Sequence, residues 1–139
     1  MTVQDHAAAV LAQLAASGTP AMTVLDGQVP DGQVPPYLLV RFTFRSQGAD
    51  VRPDASDLVF RSLALECTAR VYSVAANARA ARALVNRVSV ALLDWTPTVA
   101  GRACSPIRHI DSFEAPPDER TGTAYFEVVD DYRFTSYPA

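Results

Sequence analysis

The stretch that decides the fold runs from Leu63 to Trp95. Its first part reads Leu63-Ala64-Leu65-Glu66-Cys67-Thr68-Ala69-Arg70-Val71-Tyr72 and alternates between apolar and polar side chains, as a half-buried strand does. Its second part is an Ala/Arg-rich segment with an apolar stripe at helical spacing: Ala81, Leu84, Val85, Val88, Ala91, Leu92 and Trp95. We therefore expect a long, central strand and then a helix, capped by Ser73, that lays its stripe on the sheet.

The residues before this stretch predict one helix and two extended segments. Residues 2–16 carry apolar side chains at helical spacing, and Ser17-Gly18 is a stop signal. Residues 21–25 form a short extended piece, and residues 37–45 alternate as a half-buried strand. Between them the pentapeptide Asp-Gly-Gln-Val-Pro occurs twice, which favours turns and predicts a lengthened surface loop.

The residues after this stretch predict two more strands, over 102–114 and 123–137, joined by a turn at 115–122. The predicted order of elements is α-β-β-β-α-β-β. Since strands outnumber helices and most connections suit antiparallel pairing, we expect an α+β fold with a mainly antiparallel sheet of four to five strands and two helices on one face. Residues 46–57, which contain a glycine, a proline and several charges, are predicted to be a mobile loop.

Length, composition and charge narrow the functional classes. The 139 residues fit one domain, spanning 1–139, and no run reaches the roughly 18 apolar residues of a membrane span. We expect a protein that is cytosolic when made. The net charge of -3 argues against a concentrated basic face for nucleic acid, although all 12 basic residues are arginine, which suits paired contacts with carboxylates across interfaces.

Candidate chemical sites are few. Cys104, His109 and Asp111 lie close together in the sequence, but a single strand would place Cys104 and His109 on opposite faces and His109 with Asp111 on the same face. Asp130 falls in phase with apolar neighbours, so if it is buried it needs a partner such as an arginine, or a bulge. Cys67 and Cys104 are expected to be reduced, unless their strands are neighbours. The sequence has no phosphate-binding glycine motif and no metal-binding spacing, and we expect no enzyme activity, cofactor or metal.

The arrangement of elements resembles the tail terminator family of long-tailed bacteriophages, also called minor tail or tail-completion proteins. The resemblance covers nearly the whole chain and rests on the first helix, the strand beginning Pro36-Tyr37-Leu38-Leu39-Val40, the junction Ala69-Arg70-Val71-Tyr72-Ser73 with the helix after it, and the last strand, residues 125–134. The doubled pentapeptide departs from the family's pattern.

The resemblance implies a virion protein that forms a hexameric ring on the end of the tail tube. Such a ring halts tube polymerisation, provides the docking face for the head connector and lets genome DNA pass without specific binding; the expected location is the tail-head junction of a siphovirus-like particle assembled in the host cytoplasm. We expect the subunit or tube interface to use these side chains: Arg52, Asp54, Asp57, Arg79, Arg82 and Arg87. Two alternatives stay open, a neighbouring head-tail connector or neck protein, and a small α+β enzyme or ligand-binding domain.

Overall fold

The computed structural model describes residues 2–47, 64–118 and 125–139. These ranges contain two helices and one sheet, in agreement with the α+β class and the order of elements expected from the sequence. The helices are α1 (Thr2–Ala16) and α2 (Ala78–Leu92). The strands are β1 (Val24–Asp26), β2 (Tyr37–Gln47), β3 (Ala64–Ala75), β4 (Arg102–Cys104), β5 (Arg108–Asp118) and β6 (Tyr125–Pro138).

The sheet is antiparallel except at one edge. Its order is β1-β2-β3-β6-β4, and β5 also pairs with β6, on the part of that strand that β4 leaves uncovered. β1 runs parallel to β2 and pairs with residues 38–40 alone. The predicted strand at the centre of the fold, β3, has long antiparallel partners on both sides.

Both helices lie on one face of the sheet, as expected. On β3 the side chains of Leu65, Cys67, Ala69 and Val71 are almost completely buried beneath them. The stripe of α2 supplies Ala81, Leu84, Val88, Ala91 and Leu92 to the same core, to which α1 adds Val10 and Leu14. The alternating apolar side chains of the strand and the apolar stripes of the two helices therefore form one core layer.

The start of α2 differs from the expectation. Ser73 lies within β3 and is fully buried, so it does not cap the helix. Asn77 is the N-cap instead, and its side-chain oxygen accepts a hydrogen bond of 2.8 Å from the backbone N–H of Ala80. The cap lies four residues later than predicted because β3 continues to Ala75 to pair with β2 and β6.

The strand predicted over residues 102–114 is two strands. The chain leaves β4 at Ser105, whose backbone N–H donates to the carbonyl of Thr135, and β5 begins after Ile107. A bulge in β5 between His109 and Asp111 puts these side chains on opposite faces, so the expectation that they share a face was wrong. Pairing with β6 determines where the strand divides and where the bulge lies, and the alternation of apolar and polar residues does not predict either.

The duplicated pentapeptide lies in an exposed connection between β1 and β2, as expected. Gly27 and Gly32, which occupy equivalent places in the two copies, have φ angles of 78° and 77°, so each copy makes a turn that glycine favours. No helix in the described ranges is long and apolar enough to cross a membrane.

Candidate interaction surface

The sheet face opposite the helices is the most extensive functional candidate. In the described part of the chain, no helix or second sheet covers this face. We call it the open face and define it by the outward side chains of β2, β3, β6 and β5: Arg41, Thr43, Arg45, Glu66, Thr68, Arg70, Tyr72, Val129, Asp131, Arg133, Asp111 and Phe113. Because it mixes arginines, carboxylates and aromatic rings, it can form charge-paired contacts with another protein surface.

Ion pairs across the strands order the open face. The guanidinium of Arg70 donates two hydrogen bonds to the Asp131 carboxylate, from Nε at 2.8 Å and from Nη2 at 3.1 Å. Hydrogen bonding to that carboxylate raises the pKa of Arg70 above its ordinary value. Further along the same two strands, Arg133 Nε lies 3.3 Å from a carboxylate oxygen of its diagonal neighbour Glu66. These pairs hold the side chains in a fixed pattern before any partner arrives.

Aromatic rings support the arginines of this face. The Arg41 guanidinium lies 5.4 Å from the centre of the Tyr72 ring, and that of Arg70 lies 5.7 Å from the centre of the Phe113 ring. Both distances are within the range of cation–π attraction. Phe113 is nevertheless 45% exposed, which leaves part of its ring available for a contact with another molecule.

The three predicted interface arginines on α2 have different environments. Arg79 is exposed, and Arg82 Nε lies 3.7 Å from Glu114 of β5, with both side chains about two-thirds exposed. Arg87 is half-buried and donates from Nη2 to the backbone carbonyls of Ser17 and Pro20. Arg87 therefore joins α2 to the segment after α1. The other three, Arg52, Asp54 and Asp57, lie outside the described residues, as does most of the predicted loop over 46–57.

Cys104 and His109 do not form a nucleophile–base pair. Cys104 is opposite Ser136 and His109 is opposite Tyr132, so both face the helices, contrary to the single-strand argument. Four residues along β6 separate their partners, which is about 13 Å. Cys67 and Cys104 lie on strands to either side of β6 and are free thiols, as expected for strands that are not neighbours.

Asp130 is buried and has a partner that the sequence did not identify. Its carboxylate is 2% exposed, and one oxygen lies 3.0 Å from His109 Nε2, while no hydrogen-bond partner reaches Oδ2. The expectation was a partner such as an arginine, or a bulge, and the partner is instead a histidine beside a bulge in β5. The in-phase position of Asp130 was the available signal, but the bulge that turns His109 inward is set by strand pairing.

The described residues do not assemble a metal centre, since they contain no cluster of three or more His, Cys, Asp or Glu side chains suited to one. An open groove of about 390 Å³ lies between α1 and β2, lined by Val3, Gln4, Ala7, Asp26, Gly27, Arg41, Phe42 and Phe44. Its titratable side chains are one carboxylate and one guanidinium, without a nucleophile beside them. This geometry suits the binding of an apolar side chain better than a reaction.

No protein-family model and no curated protein matches the sequence. Among solved structures, a chain of "Virion of native gene transfer agent (GTA) particle" is similar over 92% of this chain and 92% of its own, with a TM-score of 0.64 and 16% identity. A second solved chain is similar over 100% of this chain and 99% of its own, with a TM-score of 0.63 and 17% identity. At these identities the likeness shows a shared fold.

Proposed function

We propose that the protein is a structural virion protein of a long-tailed phage or phage-like particle. In this proposal it forms a hexameric ring on the end of the tail tube, stops tube polymerisation and provides the docking face for the head connector. The observation that carries the proposal is the likeness of fold, over nearly the whole length of both chains, to a chain of a gene transfer agent virion. The family resemblance of the sequence supports the same role.

A binding role without bond chemistry fits the described surfaces. The open face presents pre-ordered ion pairs, whereas the buried Asp130 and its partner His109 lie on the helix side of the sheet. A ring of identical copies needs two different patches on each subunit, because its contacts are head-to-tail. A net charge of -3 also suits a ring through which DNA passes without being held, since like charge repels phosphate.

Tube assembly tests this proposal directly. Tail-tube protein from the same particle is polymerised with and without the purified protein, and tube lengths and ends are measured in negative-stain images. We expect rings at tube ends, and tubes that stop growing once the protein is added. In virions, gold-labelled antibody should mark the tail-head junction.

The other outcomes identify the alternatives. Binding to the head connector with no effect on tube growth would assign the protein to the neck. Tubes that grow normally, together with a protein that stays monomeric or dimeric and binds neither partner, would refute a tail-end role and return attention to an enzyme or ligand-binding domain.

A further inference from the structure

We infer that neighbouring copies of this chain join by antiparallel strand pairing, with the β5 edge of one copy against the β2 edge of the next. This inference rests on the proposed ring and specifies its subunit contact. The partner is a second copy of the same chain.

The β2 edge is half-covered and basic. β1 pairs with residues 38–40 alone, so residues 41–47 have no strand neighbour on that side within the described ranges. The uncovered part carries the exposed Arg41 and Arg45, and the whole strand has no acidic residue. Unpaired backbone N–H and C=O groups on such an edge are a template for another strand.

The β5 edge is uncovered and acidic. β5 pairs with β6 on one side, and no described strand lies on the other. Asp111 is exposed there, while the charges of Arg108 and Glu114 are matched by ion pairs with Asp94 and Arg82, which leaves the Asp111 carboxylate as the surplus charge of this edge. Ile110 and Phe113 are 46% and 45% exposed, which is unusual for an edge strand that stays in water.

Charge favours a contact between the β2 edge of one copy and the β5 edge of another. Two β2 edges would bring arginines together, and two β5 edges would bring carboxylates together, and like charges on facing strands are unfavourable. The β2–β5 contact places arginine against carboxylate. Such a contact leaves one edge free on each terminal copy, so addition continues until the two ends meet, which is how a closed ring forms.

Strand direction and shape permit this contact. From β2 through β3 and β6 to β5 each pair is antiparallel, so β2 and β5 run in opposite directions. Copies related by rotation about an axis along the strands would then meet in an antiparallel pair. The groove of about 390 Å³ beside β2, which Phe42 and Phe44 line, gives an apolar side chain of the incoming edge a place to pack.

Reciprocal charge reversal tests the contact. Arg45→Glu and Asp111→Arg are each expected to raise the protein concentration needed for ring formation at least about tenfold, because each variant places like charges on the two facing strands. Mixed in equal amounts, the two variants should form rings again. One variant then has two acidic edges and the other two basic edges, so alternating copies place opposite charges at every contact. Asp31→Arg, in the exposed loop between β1 and β2, is the matched control and should assemble normally.

Light scattering after size-exclusion chromatography reads out ring size, with and without tube protein present, and circular dichroism checks folding. If the natural protein forms rings and both reversals leave them unchanged, the β2–β5 contact is wrong while the ring proposal stands. If the reversals and their mixture behave as expected but tubes keep growing, the contact stands and the tail-end role falls. A natural protein that forms no ring alone or on tubes overturns both.

Discussion

The Arg87 side chain is expected to contribute about 2 kcal/mol to the free energy of unfolding. Its Nη2 donates to the Ser17 carbonyl at 3.1 Å and to the Pro20 carbonyl. A charged donor contributes about 1.5–3 kcal/mol per hydrogen bond when buried, and partial solvent exposure lowers the sum for these two bonds. In a domain of this size, Arg87→Ala should therefore lower Tm by about 6–10 °C.

Arg79→Ala is the control for this measurement, since Arg79 lies on the same helix, is exposed and changes helix propensity equally. Chemical denaturation monitored by circular dichroism gives the free energy of both variants. We expect a difference of at least about 1 kcal/mol between them, in favour of Arg79→Ala. Equal stabilities would refute the structural role assigned to Arg87.

Gly18 provides a second check on the same contact. A Cβ at Gly18 would lie 2.8 Å from Arg87 Nη2, and the φ angle of 74° is already unfavourable for other residues. Gly18→Ala should therefore cost less in the Arg87→Ala background than in the natural protein, because the steric part of its cost disappears. Strictly additive effects would argue that the guanidinium does not occupy this position.

Four further predictions concern the His109–Asp130 pair, the Cys67 thiol, the core beneath α2 and the exposed Arg82. His109→Ala should lower stability by about 2 kcal/mol at neutral pH because it leaves the buried Asp130 without its partner, and His109→Gln should recover part of the loss in denaturation curves. Burial raises the pKa of the Cys67 thiol to about 12 from 9.0. The unfolded chain therefore loses this proton first, so the contribution of Cys67 to stability is fully present well below pH 9 and falls by up to about 1.4 kcal/mol per pH unit as the pH rises from 9 towards 12. Cys67→Ala should reduce this slope. Leu84→Asp should unfold the domain because it places a charge in the core beneath α2. Arg82→Glu should change stability by less than about 0.5 kcal/mol and weaken tube capping. Normal capping by this variant would show that Arg82 is not part of the interface.

Local patterns predicted the elements better than their pairing. The bounds of α1 and the buried faces of β2, β3 and α2 follow from periodicity, because one side of each element must enter the core. The helix cap was misplaced because Ser73 satisfies a local rule while the longer pairing of β3 decides where the strand ends. The division of the predicted strand over 102–114 likewise depends on which part of β6 each piece meets.

The candidate surface was harder to predict than the fold. An exposed arginine on a helix has the same local sequence whether it meets a partner or water, and Arg87 shows that it can also bind its own backbone. The open face and its two uncovered edges emerge when strand order is known, since edge and centre strands share the same alternation. Arg45 and Asp111 lie far apart in the chain, and only the order of the strands shows that they occupy the two edges of the sheet.

The twin turns at Gly27 and Gly32 have a consequence for how this gene tolerates change. The first copy begins in β1 and its Gly27 N–H donates to the Val40 carbonyl of β2, whereas the second copy makes an exposed turn in which the Gln33 N–H donates to the Pro30 carbonyl. We therefore expect that a further five-residue copy inserted after the second would lengthen the exposed connection and leave the pairing of β1 with β2 in place. The segment is correspondingly a natural place to insert a short affinity tag for isolating intact particles.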